Sequence, residues 1–545
     1  MPFRSVAKQV NVMKENEWEN DDSFVGKSVR FENSQYFFPF PSLGIDVTSE
    51  VIREIKINPS RFQSPLSWKK RILIFFERKL SFSSKVFGEL HVFHDFKSPF
   101  TLRWKKVFDY LYRSGVTQYP YPSFDKMYND EPKIFGLRLW ATSTEGKTDG
   151  EPKNSDGGYS RGVSFDFEEA LSKVVGELLE RYPLTLYRNK DLISASISEL
   201  RRKRISFLDP FLLDQFSEWQ KEKFPQYRFD EMSRFRWAEG KSLMTKKKAL
   251  IPAQMVHWNY RFASGEPVIQ QPITNGAGGM FTLTEALLSG LYELIQRDAF
   301  MIFWLNRIVP PRVDPESIRS TEIISLLESC KNYGLRASFL DMTSDFGIPV
   351  VITVLEDEYG GGPAVVLGGG CGVDPEQAII RAFTEAISVR YWLRERMDKG
   401  ESFSLAEDIE PFTVTKLNGV TRMLYWGNPG MQEKIRFFLQ GELRSIERSF
   451  PGVPGKDMTP EQQLRHLKRI FRKKGKRYEI FYYEAKHEVL DTLGYSSVSV
   501  SVPAILPLYL DETKAPLGNL RIQEACRALG YEPAETINPL PHPFP

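Results

Sequence analysis

One helical plan recurs three times in this chain and limits its fold more than any other feature. It reads DFEEALSKVVGELLER at 166–181, TLTEALLSGLYELIQR at 282–297 and DPEQAIIRAFTEAISV at 374–389. Each copy opens on Asp166, Thr282 or Asp374, whose side-chain oxygen suits the free N–H groups of a first helical turn. Three residues on stands Glu169, Glu285 or Gln377, the second half of a capping-box pattern. Pro375 takes the first helical position of the third copy, where its missing N–H costs nothing. An alanine follows at the same place each time, Ala170, Ala286 or Ala378. The spacing predicts three helices with well-determined starts.

Counting on from the caps, position seven carries Lys173, Ser289 and Arg381, and position eleven carries Glu177, Glu293 and Glu385. Position fourteen carries Glu180, Gln296 and Ser388. At about 100° per residue the three positions fall within about 60° of one another. Each helix therefore presents a polar stripe with Glu at its middle, set among apolar residues such as Leu171, Val174 and Leu178 in the first copy. Carboxylates brought together in a partly buried site repel unless a cation neutralises them. Oxygen ligands suit Mg²⁺, which usually arrives with nucleotide phosphates. Glycines precede every copy, in GGYSRG (157–162), NGAGG (275–279) and GGGCG (368–372). None matches a P-loop or a dinucleotide fingerprint. Taken with the stripes, they point to an unusual ATP·Mg²⁺ site, with Lys173, Arg381, Arg161 and Arg297 as its phosphate-binding cations.

The remaining features narrow the class. Lys and Arg total 73 against 70 Asp and Glu over 545 residues, too even a balance for whole-molecule attraction to nucleic acid or anionic lipid. Three separated cysteines exclude a disulfide framework and a Cys-rich zinc site, and fit a reducing, cytoplasmic setting. There is no apolar run long enough for a membrane span. IPVVITVLED (348–357) and PAVVLGGG (363–370) read as paired strands, 430–490 as helical and charged, and 498–510 as β-like. The mixture is α+β, a mixed α/β chain. Three basic runs, at 201–204, 246–248 and 469–477, read as solvated surface. The sequence ends INPLPHPFP, a stiff, donor-poor segment suited to a groove, in which a lone His542 reads as a contact and not a base.

SKVVGELLER (172–181), ITNGAGGMFTLTEALLSGLYELIQRDA (273–299), GGGCGVDPEQAIIRAFTEAISVR (368–390) and NPLPHPFP (538–545) together resemble the YcaO family. LIPAQMVHWNY (250–260) and LGNLR (517–521) fit its connecting pattern. The likeness covers roughly 105–545 as one catalytic domain, leaving 1–104 as an extension of unassigned role. The proline-rich end is similar to the azoline-forming branch. The resemblance implies a cyclodehydratase that uses ATP and Mg²⁺ to convert Cys, Ser or Thr of a ribosomal precursor peptide into thiazoline or oxazoline. Thioamide or macroamidine formation and a non-catalytic nucleotide-binding scaffold are the alternatives.

By the same resemblance, Glu177, Glu180 and Glu293 match Mg²⁺ ligands, and Gln296 stands where a further Glu is common. Asn275, Arg381 and Glu385 match nucleotide contacts, joined by Ser172 and Arg297. Arg161 replaces a common Lys, and Ser388 a frequent Gln. Pro541, Pro543 and Pro545 match the segment thought to bring the terminal carboxylate to the substrate. The implied partners are the precursor peptide, a separate leader-binding protein of E1-like or winged-helix type and a flavin dehydrogenase, with a homodimer as the implied assembly.

Overall fold

The computed structural model describes residues 99–126, 128–150, 158–213, 215–406, 410–415, 417–452 and 457–544. Nearly all of the expected N-terminal extension, and Pro545, lie outside the described residues. Its helices of twelve or more residues are α1 (Pro99–Arg113), α2 (Phe167–Leu184), α3 (Leu283–Leu305), α4 (Thr321–Asn332), α5 (Pro375–Asp398) and α6 (Pro460–Lys474). α1 runs across residue 104 and sets Trp104, Phe108 and Leu111 into a core shared with α2.

The strands form three sheets. The first has the order β1 (Ser123–Phe124), β2 (Phe135–Trp140), β3 (Tyr159–Ser164). The second runs β4 (Ile193–Ser196), β5 (Arg234–Ser242), β13 (Phe481–Glu484), β14 (Ser496–Ser501), β7 (Ala277–Met280), with β6 (Lys248–Pro252) on β5. The third runs β11 (Val365–Cys371), β10 (Val350–Asp357), β9 (Leu335–Asp341), β8 (Arg312–Val313), β12 (Leu443–Arg444). β10 and β11 pair antiparallel with Val350 opposite Cys371, as their apolar runs predict. The expected helical stretch at 430–490 is interrupted by β12 and β13, and the expected strand at 498–510 stops at Ser501. Pro503 and Pro507 supply no N–H to a ladder, which ends the pairing there.

The recurring helices are α2, α3 and α5, each entered from a sheet-edge strand, β3, β7 or β11. Asp166, Thr282 and Asp374 cap them, accepting from the backbone N–H of Glu169, Glu285 and Gln377. The reciprocal half of the capping box does not form. Glu169 instead accepts from Ser164 Oγ (2.6 Å), and Glu285 from Thr282 Oγ1 (2.8 Å).

A steric rule locks each strand to its helix. Four residues before each cap stands Gly162, Gly278 or Gly370, and a Cβ there would collide with the carbonyl of Ala170, Ala286 or Ala378. Glycine on the strand and alanine on the helix thus let two backbones touch, a role distinct from cradling phosphate. Each helix also reaches the next unit: α2 packs on β7 and β14, α3 on β10 and β11, and α5 returns to β3. The three units close into a ring. Among the described residues no helix is long and apolar enough to cross a membrane.

Gly278→Ala should lower stability by about 1–3 kcal/mol through overpacking, read from the denaturant midpoint. Gly158→Ala, where the nearest obstacle is Ala141 O at 4.0 Å, should stay within about 0.5 kcal/mol.

Candidate active site

The ring turns the three polar stripes toward one another. On α3, Glu293 Oε2 accepts from the backbone N–H of Gly276 at 2.6 Å, and Oε1 pairs with Arg297 at 2.8 Å. Arg297 donates to Asn275 Oδ1 at 2.6 Å, and Asn275 Nδ2 donates to Leu508 O at 2.9 Å. On α5, Glu385 accepts from the backbone N–H of Gly369. On α2, Glu177 pairs with Arg181 at 2.5 Å. Position fourteen of each helix leans on the following unit. Glu180 lies against Gly279, Gln296 lies against Gly369, and the Ser388 carbonyl accepts from Arg161 at 2.9 Å.

Electrostatics shows the convergence most clearly. Burial works against the Arg181 cation, yet Glu177, Glu180, Glu293 and Glu385 together hold its guanidinium above its ordinary value. Those four carboxylates come from all three helices. Burial pushes the Glu180 carboxyl up to about 7, with Glu293 and Glu177 adding repulsion against the pull of Arg181. Burial likewise lifts Glu385 to about 7, opposed by the Gly369 N–H and by Arg297. Glu293 is raised by burial and pulled back by Arg297. Four carboxylates thus face the two guanidiniums of Arg181 and Arg297, which leaves room for further positive charge.

Arg181 lies outside the residues expected from the polar stripes, although the sequence carries a signal for it. It stands fifteen residues past its cap, as Arg297 does, and both pair back to the Glu at position eleven. Position fifteen of α5 is Val389, so two of the three copies bring a cation. Asp125 too lies outside the expected residues. It binds both Arg138 and Arg161, and Arg161 also donates to Ser388 O, so its guanidinium is committed to Asp125 and the α5 backbone. Arg381 donates to Cys371 O at 3.2 Å, and Lys173 makes the matching bond to Val163 O at 3.1 Å. Ser172 is buried, and its Oγ has no hydrogen-bond partner among the described residues. The Nε atoms of Arg181 and Arg297 share that state.

As placed, no three His, Cys, Asp or Glu side chains among the described residues stand close enough to hold a metal ion. The expected ligands Glu177 and Glu293 are instead neutralised by Arg181 and Arg297. The donor set nonetheless fits Mg²⁺: hard oxygens of Glu177, Glu180 and Glu293 and the Gln296 amide, with the Glu180 and Glu293 carboxyls lifted chiefly by burial. A cleft beside them is lined by Arg181, Val256, Trp258, Thr274, Asn275 and Ser499. Val256 and Trp258 belong to the LIPAQMVHWNY segment. Arg521 of LGNLR serves the core instead, paired with buried Asp298 at 2.6 Å.

The tail is not frayed. Pro541, His542, Pro543 and Phe544 are buried, and the Phe544 ring packs on Phe300 with centroids 4.9 Å apart. A Cβ at Gly369 would meet that ring at 2.8 Å and would also strike Gln296. His542 is a buried contact, kept neutral by burial and by Arg422.

Because Glu180 and Glu385 hold protons more tightly folded than unfolded (about 7 against 4.5), these two groups should withdraw stability from the ligand-free chain as pH rises through that interval. The doubly substituted Glu180→Gln, Glu385→Gln chain should show a flatter dependence of denaturant midpoint on pH between about 5 and 7. Buried His257, depressed to about 4, and buried His542, also depressed, pull the opposite way in both proteins and cancel in the difference.

Residues 161–506, more than half of the chain, match the family model described as YcaO cyclodehydratase, ATP- and Mg²⁺-binding. An uncharacterized protein in the tfuA 3′ region of Rhizobium leguminosarum bv. trifolii is 28% identical over 239 residues, 42% of this chain and 54% of its own. An uncharacterized protein of Methanothermobacter thermautotrophicus is 32% identical over 162 residues, 30% of this chain and 42% of its own. The chain spans about half the length of the curated relatives it matches. A heterocyclase in complex with substrate and cofactor superposes with a TM-score of 0.62 at 20% identity, covering 80% of this chain and 57% of that one. YcaO from Methanopyrus kandleri, bound with AMPPCP and Mg²⁺, gives 0.52 at 18%, covering 76% and 93%. At those identities the likeness is one of fold, and the fold agrees with the family match. The chain belongs to the YcaO family, whose model is described as ATP- and Mg²⁺-binding.

Proposed function

We propose that this chain is an ATP- and Mg²⁺-dependent cyclodehydratase that forms azolines in a ribosomal precursor peptide. The observation that supports the reading best is the gathering of Glu177, Glu180, Glu293 and Glu385 about Arg181, in a family described as binding ATP and Mg²⁺. A peptide amide oxygen is a poor leaving group until it carries a phosphoryl group. The substrate Cys, Ser or Thr side chain adds to the preceding carbonyl carbon and loses its proton. The resulting oxyanion takes the γ-phosphoryl of ATP, releasing ADP. The C–O bond then breaks with loss of phosphate and of the amide proton, leaving the C=N of the ring.

In this reading Glu177, Glu180, Glu293 and Gln296 hold Mg²⁺, which when bound neutralises phosphate charge along the reaction path. Asn275 and Arg297 are already tied to one another and to Glu293, so the nucleotide meets a group whose positions are set beforehand. Ser172 brings a hydroxyl without a partner among the described residues, Arg381 a cation in the second turn of α5, and Glu385 a fixed acceptor. Arg161 contributes by holding α5 to β3 through Ser388 O, and contacts phosphate only if it leaves Asp125. The terminal carboxylate beyond Phe544 lies outside the described residues. A separate leader-binding protein and a flavin dehydrogenase complete the proposed assembly, with residues 105–545 as its catalytic unit.

The direct test mixes the protein, ATP·Mg²⁺ and Cys- or Ser-rich precursor peptides, with and without a leader-binding partner. Mass spectrometry should show loss of one water per modified residue, with matching release of ADP and phosphate. Glu293→Gln should cut the rate by at least about a hundredfold while leaving the melting transition cooperative. Peptide-independent binding of ATP with no turnover would instead favour a scaffold.

A further inference from the structure

Pro539, Pro541 and Pro543 remove every second N–H from the C-terminal tail, so one of its edges has no donor for a ladder. Its buried carbonyls need donors from elsewhere. Three successive carbonyls each receive one side-chain N–H. Trp304 Nε1 donates to Leu540 O at 3.1 Å, Trp426 Nε1 to Pro541 O at 3.0 Å, and Arg422 Nη1 to His542 O at 3.2 Å. All three donors are buried, and Arg422 is fixed in turn by Glu512 at 2.7 Å and Leu510 O at 2.9 Å. The lower end is pinned as well. Asn538 closes the C-terminus of α3, its backbone N–H donating to Leu305 O at 2.9 Å and its Nδ2 to Trp304 O at 3.1 Å. At the upper end Phe544 packs on Phe300 and over Gly369, whose N–H serves Glu385 and whose flank is covered by Gln296.

We infer that Trp304, Trp426 and Arg422 are positioning residues that set how far the proline-rich tail reaches toward the carboxylate cluster. They act through Phe544 on Gly369, and so on the strand segment that Glu385 and Gln296 hold. A donor ladder of fixed spacing suits this task, because sliding the tail by one residue would place all three N–H groups against the wrong atoms. The kinetic consequence rests on the proposed cyclodehydratase reading, whereas the structural consequence does not.

The test uses the full chain with Trp304→Phe and Trp426→Phe, singly and together, each deleting one N–H while keeping an aromatic ring. Hydrogen exchange is followed at the tail amides of Asn538, Leu540, His542 and Phe544, with β10 and β11 as an internal reference. The double variant should exchange at least about tenfold faster in the tail and unchanged in the reference. Its kcat for azoline formation, counted per nucleotide-binding site found by titration so that unfolded protein is excluded, should fall about tenfold with KM for ATP unchanged. Arg422→Lys, which keeps a cation beside Glu512, should retain more activity than Arg422→Met. Unchanged tail exchange would overturn the ladder, and faster exchange with full kcat would overturn the positioning role. If the wild type forms no azoline at all, the proposed function fails while the exchange result still decides the ladder. Should the double variant not fold, either single variant decides by the same two readings.

Discussion

Backbone contact between three glycines and three alanines sets the distance on which the rest of this molecule depends. Gly162, Gly278 and Gly370 let the strand main chain lie against the carbonyls of Ala170, Ala286 and Ala378, with no side chain between. That closeness carries each helix near enough to the next strand for the units to close into a ring. Packing with larger residues at those positions would push the helices outward and separate the acidic stripes. The polar chemistry at the centre is therefore a consequence of small residues several ångströms away from it.

What the ring gathers is costly. Carboxylates from α2, α3 and α5 share one partly buried volume, and burial with mutual repulsion lifts Glu180 and Glu385 toward neutrality. Arg181 and Arg297 relieve part of that strain by pairing with Glu177 and Glu293. The arrangement favours any ligand that brings cations and places them between the helices, while Asn275, Gly276 and Gly369 hold their partners ready. The tail adds a second constraint from outside the ring. It closes the end of α3 and rests its last described aromatic ring on β11, so the sequence farthest along the chain reports on its centre.

Much of this was legible in the residues. The caps, the helix starts and the shared positions of Glu177, Glu293 and Glu385 follow from spacing alone, because a helix repeats its geometry wherever it occurs. The β10–β11 pair was legible from two apolar runs about a turn. The pairings across the ring were not, since Arg138 meets Glu395 and Arg161 meets Ser388 O only after the first and third units are joined. The glycines by themselves suit phosphate loops, while their spacing to alanine also encodes strand-to-helix contact. The oxygen donors proposed for Mg²⁺ were legible as positions on two helices, but not the pairing of Arg181 and Arg297 with two of those carboxylates. Sequence periodicity shows which side chains share a helix face and is silent on what occupies the space in front of them.

The claim that three helices make one site has a direct measure. Calorimetric titration of the chain with a non-hydrolysable ATP analogue and Mg²⁺ should give one nucleotide per chain. Substituting Gln for Glu177 on α2, Glu293 on α3 or Glu385 on α5 should each weaken that single event by about tenfold or more. Binding of more than one nucleotide, or sensitivity to only one of the three helices, would contradict the account.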